Sequence, residues 1–315
     1  MLELRGDEAM GGQLSLRLAA LLTLPPLLWA GNAVVGRMAA GQVPPLALNA
    51  LRWTLALLLL LPLGWSALAT PGARRELLRR WRPLALLGLL GVGAYNALQY
   101  MALTTSTALN VTLIASSMPV WMLAIGALFY REHPTRRAML GAALSVAGVA
   151  VVLARGELSQ LAQVRFVPGD LLMIVAIIGW AFYSWLLARP HPSLRGDARP
   201  DWNWAAFLLA QTLFGVVWAG AAAGVEAVVA PAPIRWSPLV VFTLFYVAIG
   251  PSLIAYRSWG LGVAAAGPAM AAFFGNLTPL FAGILSAALL GEAPHPYHAL
   301  AFALIVAGIL VSLRR

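Results

Sequence analysis

Residues 107 to 155, TALNVTLIASSMPVWMLAIGALFYREHPTRRAMLGAALSVAGVAVVLAR, return without a gap as residues 267 to 315, GPAMAAFFGNLTPLFAGILSAALLGEAPHPYHALAFALIVAGILVSLRR, at a constant offset of 160. Pro119 falls on Pro279, Glu132 on Glu292, Pro134 on Pro294, Gly148 on Gly308 and Arg155 on Arg315, with 13 identities in 49 aligned positions. Each copy is an apolar stretch with a proline near its middle, a short turn holding Glu and Pro, and a second apolar stretch. About 20 apolar residues cross a hydrocarbon core of about 30 Å, and only helices or closed barrels satisfy their backbone polar groups there. Barrel strands alternate apolar with polar residues, and these runs do not. Each copy is therefore predicted to be a transmembrane helical hairpin.

Composition extends this to the whole chain: 61% of the 315 residues are hydrophobic, 10% are charged and the mean hydropathy is +0.82. This predicts an all-α polytopic membrane protein. Apolar runs bounded by Arg, Pro or Gly give ten transmembrane helices, at 16 to 36, 44 to 66, 83 to 103, 107 to 130, 136 to 154, 168 to 189, 202 to 225, 237 to 256, 264 to 290 and 296 to 313. The charged segment before them, residues 1 to 15, lacks a compact signal-peptide pattern and is read as a cytoplasmic extension of a retained first helix. Without cysteine, disulfides and Cys-ligated metals are excluded. The four histidines, His133, His191, His295 and His298, fall at span ends or in loops. No metal and no cofactor is expected.

A net charge of +10 could suggest nucleic acid, but the basic residues are scattered through short loops. Membrane orientation explains them better, and no nucleic-acid partner is expected. All 21 are Arg, a bias that points to a GC-rich, bacterial genome. With both termini in the cytoplasm, sixteen arginines lie inside, four (Arg37, Arg155, Arg165, Arg235) lie outside, and Arg52 lies within the second span. The fourth and ninth spans then run in opposite directions. The matching hairpins become an inverted repeat, giving two five-helix units at 16–155 and 168–315. Such repeats, with a site at their interface, are the architecture of secondary transporters. The first span of each unit adds an echo, LLWAGNAVVGR around Trp29 and IIGWAFYSWLLAR around Trp180.

On these residues the chain resembles the ten-helix, EamA-type branch of the drug/metabolite transporter superfamily. The Trp-Ala-Gly-Asn helix ending in Arg37, PPLALNALRW with Arg52, NALQYMALTTSTALNVTLIASSMPVWMLAIGALFYREHP and GNLTPLFAGILSAALLGE carry the resemblance, which covers residues 16 to 315. It implies two inverted repeats around a central cavity lined mainly by spans 1, 3, 4, 6, 8 and 9. It also implies movement of small metabolites, amino acids among them, across the bacterial inner membrane, frequently outward. No single substrate is implied.

Within the spans the polar and aromatic residues Trp29, Asn32, Arg52, Tyr95, Asn96, Gln99, Asn110, Ser116, Trp180, Tyr183, Asn276 and Thr278 are the candidate substrate contacts. Interior polar groups are expensive and face a bundle or a cavity; each taken alone is more often inter-helix glue than a substrate ligand, and it is their concentration on a few spans that points to a site. Amides with Trp and Tyr faces suit a neutral, zwitterionic or aromatic metabolite. Arg52, about 12 Å from the outer span end by helix rise, either snorkels outward or turns inward to a substrate carboxylate or backbone carbonyls. Pro119 and Pro279, about 18 Å into their spans, are helix kinks that serve packing or border the cavity. The resemblance favours the cavity.

No acidic residue falls mid-span: Glu132, Glu292, Asp170, Glu157 and Glu226 lie at ends or in loops. Glu132 and Glu292 read as turn caps and loop ion partners, with ion coupling through an end-located group or uniport left open. Gly267, Ala271 and Gly275, and Gly88, Gly91 and Gly93, predict close helix contacts within a monomer or across a homodimer. A membrane-embedded enzyme or a sensor is the competing reading. An enzyme lacks support from any mid-span His, Cys or carboxylate pair, and a sensor from any loop longer than about 20 residues.

Overall fold

The computed structural model describes residues 16–39, 41–106, 114–154, 156, 157, 159, 167–290 and 296–313. Its elements are α1 (Leu16–Met38), α2 (Pro45–Gly64), α3 (Pro71–Arg79), α4 (Trp81–Gly88), α5 (Tyr95–Thr105), α6 (Met118–Tyr130), α7 (Arg136–Leu153), α8 (Pro168–Ala188), α9 (Trp204–Val229), α10 (Pro238–Val247), α11 (Ala255–Ala266), α12 (Pro268–Gly275), α13 (Thr278–Leu290) and α14 (Pro296–Leu313). A π-helical segment, Leu89–Ala94, joins α4 to α5, and a second, Ala248–Ile254, joins α10 to α11. There is no strand among the described residues.

Seven of the described stretches are long and apolar enough to cross a membrane: Leu16–Gly36, Pro45–Ala67, Trp81–Ala102, Pro168–Ala188, Trp204–Val229, Pro238–Ala266 and Pro268–Leu289. Met118–Tyr130 and Ala299–Ser312 are shorter apolar helices.

Two expectations change. The eighth span does not end near Tyr256, because helix continues through Arg257 to Ala266 and turns only at Gly267. Gly267 has φ +83 and ψ 159, a conformation open to glycine alone, and Pro268 starts the next helix. Gly267 is thus a turn, not part of a packing stripe, and Arg257 is a helix residue, not a loop residue. The second change concerns the prolines. Pro119 and Pro279 are each the second residue of a new helix, α6 and α13, after two-residue breaks at Ser116-Ser117 and Asn276-Leu277. In a first turn the missing proline N–H is not needed, so the chain is broken and restarted here instead of kinked. The breaks lie 160 residues apart, and a hydroxyl covers a carbonyl three residues back in each: Ser117 on Ile114, and Thr278 on Gly275.

Helix packing follows the sequence offset. A methyl group at Gly141 would lie 2.7 Å from the Gly308 carbonyl oxygen, and one at Gly148 would lie 2.8 Å from that of Ala301. The closely packed α7 and α14 therefore run antiparallel, and adding 160 to Gly141 and Gly148 returns Ala301 and Gly308. Contact this close between backbones is how helices associate where lipid offers no hydrophobic driving force. The α1 and α11 pair and the α5 and α8 pair also pack together, as do α2 and α9. Glu226 of α9 accepts from the Leu46 and Ala47 N–H groups at 3.0 and 2.8 Å, capping the N-terminus of α2 where a carboxylate suits the helix dipole. Arg80, just after α3, donates to the carbonyls of Ser193 and Ala198 at 2.7 and 2.6 Å and to Glu76, so it ties that helix to the connection before α9.

Candidate functional site

The two π-helical segments occupy matching places in the sequence: the offset of 160 puts Gly91 on Pro251 and Val92 on Ser252. A π turn leaves carbonyls out of the ordinary ladder, and such bulges are frequent at functional sites. Here the matched carbonyls of Gly91 and Pro251 both accept from aromatic side chains. Tyr256 Oη donates to the first, and Trp29 Nε1 donates to the second at 3.3 Å.

Those donors belong to one aromatic cluster with Trp180 at its centre. Trp180, 2% exposed, has ring centroids 5.3 Å from Trp29, 5.2 Å from Tyr95, 5.1 Å from Tyr183, 5.4 Å from Tyr256 and 5.7 Å from Trp259. The contact with Trp29 is edge-on at 88°, an arrangement that sets a ring's positive edge on the other's negative face. Around the rim, Tyr183 Oη donates to Gln211 at 3.1 Å, and Trp259 Nε1 donates to the Ser184 hydroxyl at 3.1 Å. Trp180 Nε1 is buried with no hydrogen-bond partner among the described residues.

Beside the cluster lies Arg52, 1% exposed and turned inward, not outward toward a membrane surface. Its Nε and Nη2 donate to the Ser252 hydroxyl at 3.0 and 2.9 Å, while Nη1 lies 3.5 Å from Asn32 Oδ1 and from Tyr100 Oη. The Ser252 hydroxyl in turn donates to the Val247 carbonyl at 2.7 Å. Three residues earlier on α2, Asn49 Nδ2 reaches the Val92 carbonyl at 3.4 Å. One face of α2 therefore touches both π segments at matched positions, Val92 and Ser252. Every hydrogen-bond partner of the Arg52 guanidinium among the described residues is neutral, and removing one charge from water without a counter-charge is costly.

Trp29, Asn32, Arg52, Tyr95, Trp180 and Tyr183 thus converge. Asn96 is buried and Gln99 half-buried on α5, the helix that carries Tyr95 and Tyr100. Ser116 and Asn276 sit buried at the two helix breaks, and Asn276 Nδ2 has no hydrogen-bond partner among the described residues. Thr278 is occupied with the Gly275 carbonyl. Asn110 and Glu292 lie outside the described residues. Glu132 pairs with Arg189 at the end of α8, and Asp170 in the first turn of α8 accepts from Ser106 and from the Val167 N–H at 2.8 Å, so both have structural roles. Ser252 and Trp259 were not singled out from the sequence. Carrying the offset of 160 upstream of residue 107 would have paired Ser252 with Val92 inside a glycine-rich stretch.

The EamA-like transporter family matches the chain twice, over residues 17–154 and 167–314. An uncharacterized transporter of Archaeoglobus fulgidus is 28% identical over 299 residues, covering 93% of this chain and 96% of its own. A protein of Streptantibioticus cattleyicolor named a probable terminal-alkyne amino-acid exporter is 27% identical over 248 residues, 78% of this chain and 77% of that one. An aromatic amino acid exporter of Ancylobacter novellus is 25% identical over 286 residues, 91% and 93% of the two chains. One solved crystal structure superposes with a TM-score of 0.71 at 22% identity, over 94% of this chain and 96% of the other, a likeness of fold.

Proposed function

The chain belongs to the EamA-like transporter family, and from that membership we propose that it is a secondary exporter of small amphipathic metabolites, amino acids foremost, with its substrate site between Arg52 and Trp180. In this reading ten spans form two inverted five-helix units, 16–155 and 168–315, in the bacterial inner membrane with both termini cytoplasmic. The halves rock about the aromatic centre and expose it to one face at a time. The α7 and α14 contacts support the inversion, because their antiparallel pairing maps onto itself under the sequence offset. The double family match supports the repeat.

The observation that carries the substrate class is Arg52. It is a buried guanidinium surrounded by hydroxyls and an amide, beside an aromatic cluster whose central indole N–H, that of Trp180, has no acceptor among the described residues. A substrate carboxylate supplies the missing negative charge and matches the planar fork of an Arg. The Trp and Tyr faces hold an apolar or aromatic side chain. Two relatives named as amino-acid exporters point the same way.

Proteoliposome counterflow tests this directly. L-tryptophan and L-phenylalanine should exchange, tryptamine, which lacks the carboxylate, should not, and Arg52→Gln should abolish exchange while the protein accumulates normally. Tryptamine exchange equal to tryptophan exchange, or unchanged transport in Arg52→Gln, would remove the carboxylate reading.

A further inference from the structure

Between α1 and α11, with none of the aromatic-centre residues in its lining, lies a groove of about 430 Å³, within the ~300–1,000 Å³ range of small-molecule sites. Arg17, Leu21 and Leu24 form one wall, spaced as one face of α1. Leu253, Arg257 and Leu261, spaced as one face of the second π segment and α11, form the other. Trp204, at the start of α9, closes one end.

We infer that this groove binds one anionic phospholipid, with its phosphate held by Arg17 and Arg257 and an acyl chain lying on the leucines. Both walls belong to stretches long and apolar enough to span a membrane, and Arg17, Ala20, Ile254 and Arg257 are exposed along the groove. Its two charges are both positive, and none of its lining residues is acidic. Neither arginine takes part in the three ion pairs among the described residues, which use Arg79, Arg80 and Arg189. Arg257 is exposed, and its guanidinium carbon stands 4.5 Å from the centroid of the Trp204 ring. That stacking fixes the orientation of the guanidinium plane and leaves its edge N–H groups for phosphate oxygens. Tryptophan at a helix start marks the headgroup level, and a basic pocket between spans is the general form of an anionic headgroup site.

Native mass spectrometry of the purified, delipidated full chain measures this independently of transport. Dioleoylphosphatidylglycerol should bind as one tight equivalent, at least about tenfold more tightly than dioleoylphosphatidylcholine. The Arg17→Gln/Arg257→Gln pair should lose that preference, on the order of tenfold, whereas Arg74→Gln/Arg75→Gln on α3 should keep it. Trp204→Leu should weaken it in part, which keeps the inference testable if the double variant folds poorly. Equal binding of the two lipids, loss of binding in the α3 variant to the same degree, or displacement of phosphatidylglycerol by millimolar inorganic phosphate would each overturn the lipid site.

Discussion

The two π-helical segments deform the backbone at the same place in each half by opposite chemical means. In Leu89–Ala94, LLGVGA, the deformation is possible because side chains are missing: a methyl group at Gly91 would lie 2.6 Å from the Tyr183 ring, and one at Gly93 would lie 2.6 Å from Trp218 Cβ. In Ala248–Ile254, AIGPSLI, a proline removes an N–H and the Ser252 hydroxyl takes up the Val247 carbonyl five residues back. The first segment is shaped by what packs onto it, and the second by its own hydrogen bonding. Both deliver a carbonyl to the aromatic centre, so the geometry is common where the residues are not. A distortion kept in both halves while its residues differ belongs to the site, not to either half.

This contrast makes the two segments differently breakable. Gly91→Ala should have the largest effect, because a methyl group cannot enter without moving the buried Tyr183 ring. Overpacking of this kind costs about 1–3 kcal/mol, and transport in proteoliposomes should fall at least tenfold. If Gly91→Ala is as stable and active as the parent, packing does not shape the first segment.

Ser252→Ala comes next. It removes the acceptor of two Arg52 hydrogen bonds and the donor to Val247, leaving buried groups unsatisfied at about 1–3 kcal/mol in total. Thermal unfolding in detergent should register that loss, and Ser252→Thr should recover part of it. A silent Ser252→Ala would mean that Arg52 is held by Asn32 and Tyr100 instead.

Pro251→Ala should be milder, costing no more than about 1 kcal/mol, because Ser252 still covers Val247. A collapse of stability in Pro251→Ala alone would transfer the locking role from the serine to the proline.

Smallest of all is Glu76→Gln on α3, remote from both segments. The hydrogen bond from Arg80 holds the Glu76 carboxyl below the usual carboxylate range. A lowered folded-state value contributes stability above the ordinary pKa and loses it as pH falls through the lowered one. Glu76 lies at the surface with its side chain 39% exposed, so Glu76→Gln should leave the unfolding temperature nearly unchanged at pH 7 and flatten only the acid end of its pH profile.

Much of the architecture was legible because it is written as composition and repetition. The offset of 160 that pairs Pro119 with Pro279 also pairs the helix breaks, the π segments and the Gly148 and Gly308 contacts. The interior position of Arg52 and the echo of Trp29 in Trp180 identified residues that the structure brings to one centre. What escaped has physical causes. A proline reports that the ladder is interrupted but not whether helix lies on both sides, so Pro119 and Pro279 read as kinks until Ser117 and Thr278 were seen to cover the carbonyls of a full break. Arg257 read as a loop residue because a charge ordinarily ends an apolar run, whereas its long stem lets the guanidinium reach Trp204 from within a helix. The π segments carry no local periodicity of their own, and Ser252 was hidden among apolar neighbours.

The central claim is that two matched broken helices alternate around one aromatic site. It is tested most directly by placing single cysteines at positions 116 and 276 of this Cys-free chain and labelling each with a membrane-impermeant thiol reagent from one face of oriented vesicles at a time. Alternation predicts that both positions react, that trapping one open state exposes them to one face only, and that saturating transported amino acid slows labelling at both. If both stay inert while a loop cysteine reacts, or if labelling ignores the transported substrate, the two helix breaks do not border the site.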